Sequence, residues 1–86
     1  MWILYLIQNT DSKERYFGIT TDLKKRLQTH NSGGKKFTTR KEGEWILVYA
    51  EAYRSKDDAL VRERRLKVHG SGKIELIKRL KNSMLD

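Results

Sequence analysis

The sequence predicts a small α/β domain: a three-stranded antiparallel sheet flanked by helices, in the order strand, strand, helix, strand, helix, helix. Three observations lead there. A continuous apolar run, Trp2 to Gln8, stops at the turn formers Asn9-Thr10-Asp11-Ser12. Two further segments, Arg15 to Thr20 and Trp45 to Tyr53, concentrate the aromatic and β-branched residues that strands favour. Hydroxyl and acidic residues then stand at the starts of the stretches between and after them, where helices need caps.

The elements follow in order. Trp2 to Gln8 lacks alternation, so it reads as a strand buried on both faces, paired through the Asn9–Ser12 turn with Arg15 to Thr20 as a hairpin. Thr21 before Asp22-Leu23 marks a helix start, with the hydroxyl as cap and the acid in the first turn. That helix ends near Asn31, where Ser32-Gly33-Gly34 breaks it. Lys35 to Glu44 is a polar, basic loop, and Trp45 to Tyr53 is the third strand. Ser55 with Asp58 forms a capping box for a helix running to about Val68, stopped by Gly70-Ser71-Gly72. A last helix spans roughly Lys73 to Asn82, with Ile74, Ile77, Leu80 and Met84 expected along its apolar side.

At 86 residues the chain is one domain, residues 1–86, with no repeat and no linker. A chain of this size buries only about 60% of its unfolded surface, so the core is thin. Without cysteine there is no disulfide framework, thiolate zinc site or cysteine nucleophile. The longest apolar run, Trp2 to Ile7, is far below the roughly 20 residues a membrane-spanning helix needs. No basic stretch or cleavage site marks a signal peptide, so the expected setting is the cytoplasm, with no membrane partner.

Charge narrows the partner. Nineteen Lys and Arg against eleven Asp and Glu leave +8, and the basic residues cluster. Lys24, Lys25 and Arg26 are consecutive; Lys35, Lys36, Arg40 and Lys41 share a loop; Arg62, Arg64, Arg65 and Lys67 crowd one helix. Such a field attracts polyanions, which makes nucleic acid the expected partner and the first to test, ahead of an anionic membrane surface, the other polyanion such a field would draw.

Two helices carry charge where a core-facing stripe calls for leucine. On the first, Leu23, Arg26, Leu27 and His30 fall on one stripe at about 100° per residue. Arg26 is either a snorkelling side chain or a functional cation; His30 is either a satisfied core histidine or a site residue. On the second helix Ala59, Leu60, Leu66 and the stem of Lys67 share a face from which Glu63 projects. A carboxylate there needs a cation partner, Arg26 among the candidates, or a hard metal ion such as Mg²⁺ or Mn²⁺. The hairpin adds Tyr5 and Tyr16, residue types that strands carry for structural reasons too.

These residues coincide with a known pattern. Ile3-Leu4-Tyr5, then Tyr16-Phe17-Gly18, then Arg26 and His30, then Glu63 resemble the GIY-YIG nuclease superfamily, and within it the small single-domain bacterial branch that starts Trp-x-x-Tyr. The matching segments are Tyr16 to Leu23, Arg26 to Gly33, Leu47 to Tyr49 and Ala59 to Lys67, so the likeness runs from about residue 2 to residue 80. It implies a three-stranded sheet with flanking helices and metal-dependent endonucleolytic hydrolysis of nucleic-acid phosphodiesters, with single-stranded or structured DNA as the favoured substrate. Carried over residue by residue, Glu63 would hold a single Mg²⁺ or Mn²⁺ ion, Arg26 would counter charge on the scissile phosphate, Tyr5 and Tyr16 would position or deprotonate water, and His30 would orient or move a proton. Gly18 would let backbone approach the substrate, and Lys67 would contact phosphate. With them, Lys24, Lys25, Lys35, Lys36 and Arg40 form the expected binding set. Three features depart from the pattern: the first motif lacks its glycine, Phe17 stands where a small or aliphatic residue is usual, and no asparagine after Glu63 matches. The competing expectation is a catalytically weak or inactive nucleic-acid-binding module on the same fold, which needs the lysines and arginines but not Glu63 with a metal. Either would be a monomer or a weak homodimer.

Overall fold

The computed structural model describes residues 1–32, 43–68 and 70–85. Its elements are β1 (Trp2–Asn9), β2 (Arg15–Thr20), α1 (Leu23–Asn31), β3 (Trp45–Tyr53), α2 (Lys56–Lys67) and α3 (Ser71–Arg79). The strands form one antiparallel sheet in the order β2-β1-β3. The apolar run becomes the central strand because only that place buries both of its faces, and Leu4 through Asn9 are all buried.

Alternation along β1 divides the core into two layers. Leu4 and Leu6 pack with Phe17, Leu66, Leu76 and Leu80 under α2 and α3. Tyr5 and Ile7 pack with Trp45, Tyr16, Leu23 and Leu27 under α1. The pairing of β1 with β3 slips between Leu6 and Ile7, passing over Val48. No helix among the described residues is long and apolar enough to cross a membrane.

Local chemistry explains the boundaries. The Asn9 side chain accepts from the amides of Asp11 (2.9 Å) and Ser12 (3.0 Å), closing the hairpin turn, and Lys13 takes the left-handed conformation at φ 66°. The cap of α1 is Asp22 rather than Thr21: the Asp22 carboxylate accepts from the Lys25 amide at 3.0 Å, and Leu23 is the first helical residue. Ser55 caps α2 through the Asp58 amide as the capping-box spacing predicts. The last helix lies earlier than expected. Its buried residue is Leu76, followed by Leu80 at its end, while Ile74 faces outward at 55% exposure; the helix is rotated so that Leu76 and Ile77, not Ile74, meet the sheet.

One polar cluster on the α2 face has no counterpart in the sequence reading. Tyr49, Glu51 and Tyr53 share a face of β3, and both phenols donate to Glu51 at 2.6 Å. Arg62 of α2 donates to the same carboxylate from Nε (3.1 and 3.3 Å) and from its terminal nitrogen (3.1 Å). Burial alone would raise the Glu51 pKa; the Arg62, Tyr49 and Tyr53 donors and the Arg62 charge override it and hold the carboxyl below its ordinary 4.5. A depressed carboxyl stabilises the fold fully above its unfolded value and loses that contribution as pH falls through the lower folded value. Glu51→Gln is therefore expected to cost about 1–3 kcal/mol at neutral pH, with the gap to wild type closing as urea melts are taken from pH 5 downward.

Candidate active site at the edge of the sheet

Tyr5 comes from the middle of β1 and points into the α1 layer, opposite Gly18 of edge strand β2. A Cβ at Gly18 would overlap the Tyr5 hydroxyl and sit 2.6 Å from its Cζ, so the phenol lies flat across the glycine. Gly18 is itself buried. The resemblance has this glycine clearing backbone for a substrate; here the cleared space is filled by Tyr5, and the glycine acts through that ring.

The Tyr5 hydroxyl hydrogen-bonds His30 Nε2 at 3.2 Å. His30, in the last turn of α1, is boxed by aromatic rings: Tyr16 at 5.1 Å between centroids and edge-on, Trp45 and Tyr5 each at 6.1 Å. Asn31 fixes the end of that helix. Its Nδ2 donates to the Trp45 carbonyl (2.9 Å) and its Oδ1 accepts from the Trp45 amide (2.7 Å), a two-way clamp from α1 to β3. In the sequence Asn31 marks the helix end and falls within the matching segment Arg26 to Gly33; nothing in its neighbours shows that its partner is the backbone fourteen residues on.

Electrostatics keep this pair neutral. Burial first, then the neighbouring Tyr16 and Glu63 charges, push the Tyr5 hydroxyl up to about 12, against the opposing pull of Arg26. Burial, then the Arg26 charge, holds the His30 imidazole below its ordinary 6.5. Arg26 of α1 and Glu63 of α2 thus act on the Tyr5 hydroxyl through their charges, while the rings of Tyr5, Tyr16 and His30 are in direct contact.

Within the predicted stripe of α1 only His30 is buried; Leu23 and Leu27 are half-buried and Arg26 is exposed. Arg26 lines a polar cleft of about 530 Å³ with Lys25 and the hydroxyls of Thr20, Thr21 and Thr29, while Asp22 stands at the α1 N-terminus beside it. Lys24 is exposed and does not line that cleft. Lys35, Lys36 and Arg40 lie outside the described residues. Glu63 is half-buried and pairs with Lys67 one turn on, Nζ to Oε2 at 3.3 Å, rather than with Arg26. The same ammonium lies 5.7 Å from the centre of the Tyr16 ring, so Lys67 ties the α2 carboxylate to the tyrosine of the edge strand.

Glu63 is the carboxylate that the resemblance assigns to a metal, and here it is ion-paired with Lys67. Among the described residues no three His, Cys, Asp or Glu side chains assemble into a ligand cluster. One half-buried carboxylate does not fit structural zinc, which takes four protein donors. It fits Mg²⁺ or Mn²⁺, hard ions that accept one carboxylate together with water and substrate oxygens.

The rings of Tyr5, Tyr16 and His30 thus pack together between β1, β2 and α1, with Arg26 on α1 and the Glu63–Lys67 pair on α2. The GIY-YIG catalytic domain family matches residues 1–82, and the chain belongs to that family, whose members are generally nucleases. It is similar to the UPF0213 protein YhbQ of Escherichia fergusonii, 38% identical over 90 residues that span 92% of this chain and 89% of that one. It is also similar to the protein of the same name from Escherichia coli strain K12, 42% identical over 66 residues, 77% of this chain and 65% of that one. Among solved structures it is similar to the UPF0213 protein BH0048 from Bacillus halodurans, a solution NMR structure, with a TM-score of 0.55, 33% identity and coverage of 94% and 86% of the two chains.

The glycine contact gives a direct check. Gly18→Ala should destabilise the fold by about 1–3 kcal/mol through overpacking against Tyr5. Moving that ring off His30 should also bring the His30 midpoint up toward 6.5 in an NMR titration; an unchanged midpoint would show that the ring accommodates a methyl group without moving.

Proposed function

We propose that this chain is a divalent-metal-dependent endonuclease that hydrolyses phosphodiester bonds of nucleic acid, DNA ahead of RNA. The observation that carries the reading is the contact cluster of Tyr5, Tyr16 and His30, joined through Lys67 to Glu63 and set on the helix that carries Arg26, in a chain of net charge +8. Glu63 would hold a single Mg²⁺ or Mn²⁺ ion, which when bound supplies an acidified water and polarises the phosphate.

The chain's own residues divide the rest of the work. Arg26, exposed at the mouth of the polar cleft, counters the negative charge that grows on the phosphate oxygens. Lys25 and the threonine hydroxyls of the cleft hold the strand beside it. Burial pushes the Tyr5 hydroxyl up to about 12, which suits it to orienting and hydrogen-bonding. His30, neutral at pH 7, keeps the Tyr5 hydroxyl aimed. Tyr16 sits at the open end of the ring cluster, where its hydroxyl positions the attacking water.

The test is cleavage of end-labelled single-stranded and duplex DNA and RNA with Mg²⁺, Mn²⁺ or EDTA, with Glu63→Ala beside wild type. Glu63→Ala should abolish products while its DNA affinity at low salt stays within a few-fold. Equal loss of both would sink the metal-ligand role. Salt-dependent binding by wild type without products would assign the chain to the inactive binding module.

Lys67 supplies a second check. Its ammonium occupies the carboxylate that the metal requires, so the two cations compete. Partly exposed pairs of this kind are worth about 0.2–1 kcal/mol, and Lys67→Ala should tighten Mn²⁺ binding by about two- to fivefold in EPR titrations. Weaker Mn²⁺ binding in that variant would place the ion elsewhere.

A further inference from the structure

On the opposite face of the same sheet edge, the start of β2 and helix α3 enclose a groove of about 260 Å³ lined by Arg15, Gly70, Lys73, Ile74, Ile77 and Lys78. Its chemistry is two-sided. Ile74 and Ile77 supply an aliphatic floor, and Ile74 is 55% exposed although it belongs to a helix whose other large apolar residues meet the core. Arg15, Lys73 and Lys78 supply three cations, and among the described residues no acidic side chain lines the groove and none of the three has an ion-pair partner.

We infer that this groove takes an unpaired nucleobase of the nucleic-acid strand flanking the cleavage point, the base lying on Ile74 and Ile77 and its phosphates meeting Arg15, Lys73 and Lys78. An apolar floor ringed by unpaired cations is complementary to a ligand that is both flat-faced and polyanionic, which a single strand is. An acidic peptide with an apolar side chain shares part of that chemistry. Position favours the strand: Arg15 directly precedes Tyr16 on β2, and Lys67 lies over the Tyr16 ring. Positive charge therefore runs around the edge of the sheet from the Glu63 side to the groove. A base stacked inside a duplex cannot enter an aliphatic slot, so the groove selects strands that are unpaired beside the reacting phosphate. The inference rests on the nuclease reading and specifies its substrate.

The experiment separates the two. Binding of a labelled single strand and of its duplex is measured by fluorescence anisotropy in EDTA at fixed salt, for wild type, Ile74→Ser and Val61→Ser, a matched exposed aliphatic outside the groove. Thermal melts confirm that each variant is folded. Ile74→Ser should weaken single-strand binding by about tenfold, the loss expected when roughly half an isoleucine side chain is no longer covered, and duplex binding by less than about twofold. Val61→Ser should change neither. The double variant Lys73→Gln/Lys78→Gln should lower the salt dependence of single-strand binding by about one to two phosphate contacts. Wild-type-like single-strand binding by Ile74→Ser overturns the inference, as does equal loss on both ligands. Binding of an acidic amphipathic peptide but not of a single strand also overturns it and assigns the groove to a protein partner. Cleavage by wild type is read separately: metal-dependent products together with a silent Ile74→Ser leave the nuclease reading standing and the groove refuted. A selective Ile74→Ser binding loss without wild-type cleavage does the reverse.

Discussion

The phenol of Tyr5 is the constraint on which the α1 side of this protein depends. It is a polar group on the central strand, 1% exposed, and a buried hydroxyl without a partner is costly. Two conditions make the burial tolerable: Gly18 removes a side chain so that the ring can lie against β2, and His30 offers its Nε2. The second condition propagates. His30 must be held at a set height and rotation, which the Asn31 clamp to Trp45 achieves by tying the end of α1 to β3. Once α1 is fixed, Arg26, one turn before His30, is fixed at the mouth of the cleft. A single buried hydroxyl thus sets the position of an exposed cation on another element.

The α2 side has its own anchor, independent of the first. Glu51 receives donors from two tyrosines of its own strand and from Arg62, and that arginine immediately precedes Glu63 in the chain. The rotation of α2 about its axis is thereby set twice, by Leu66 in the core and by Arg62 at the sheet. With both held, Glu63 has little freedom beyond its own rotamers. The α1 side and the α2 side meet across the sheet, and at its β2 edge Lys67 lies over the Tyr16 ring.

What the sequence made legible follows the range of the interactions. The hairpin, the third strand and the Ser55 cap depend on residues a few positions apart, and all were readable from spacing. Arg26, His30 and Glu63 stood out because charged or polar side chains interrupted apolar stripes, whereas Tyr5 and Tyr16 drew notice only through the family resemblance; of these, the structure puts Tyr5, Tyr16 and His30 in contact. The helix caps and stripes were less secure. Thr21 and Asp22 are both good caps, and only the backbone at Thr20, whose hydroxyl accepts from the Asp22 amide at 3.1 Å, decides between them. Ile74 and Leu76 are both apolar, and which one meets the core depends on the rotation of α3 against the sheet, which no local pattern encodes. The Glu51 cluster was hidden for a different reason. Tyr49, Glu51 and Tyr53 alternate as strand residues should, and an acid there reads as a solvated position until Arg62, eleven residues away, is brought opposite it.

The same contacts change what the net charge of +8 means. Arg62 is spent on Glu51, Lys67 on Glu63, and Lys56 lies over the Trp2 ring at 5.0 Å. The dense basic stretch of α2, which the sequence offers as a binding face, is in part a structural clamp. Among the described residues Arg64 and Arg65 of α2 stay exposed, and the cations that line concave surfaces lie on either side of β2: Lys25 and Arg26 at the α1 cleft, Arg15, Lys73 and Lys78 at the α3 groove. A polyanion drawn to the protein by its overall charge would find five cations in concave surfaces on the two sides of the edge strand. That line passes Tyr16, so the electrostatics that bring a strand to the molecule also lay it across the residues gathered there.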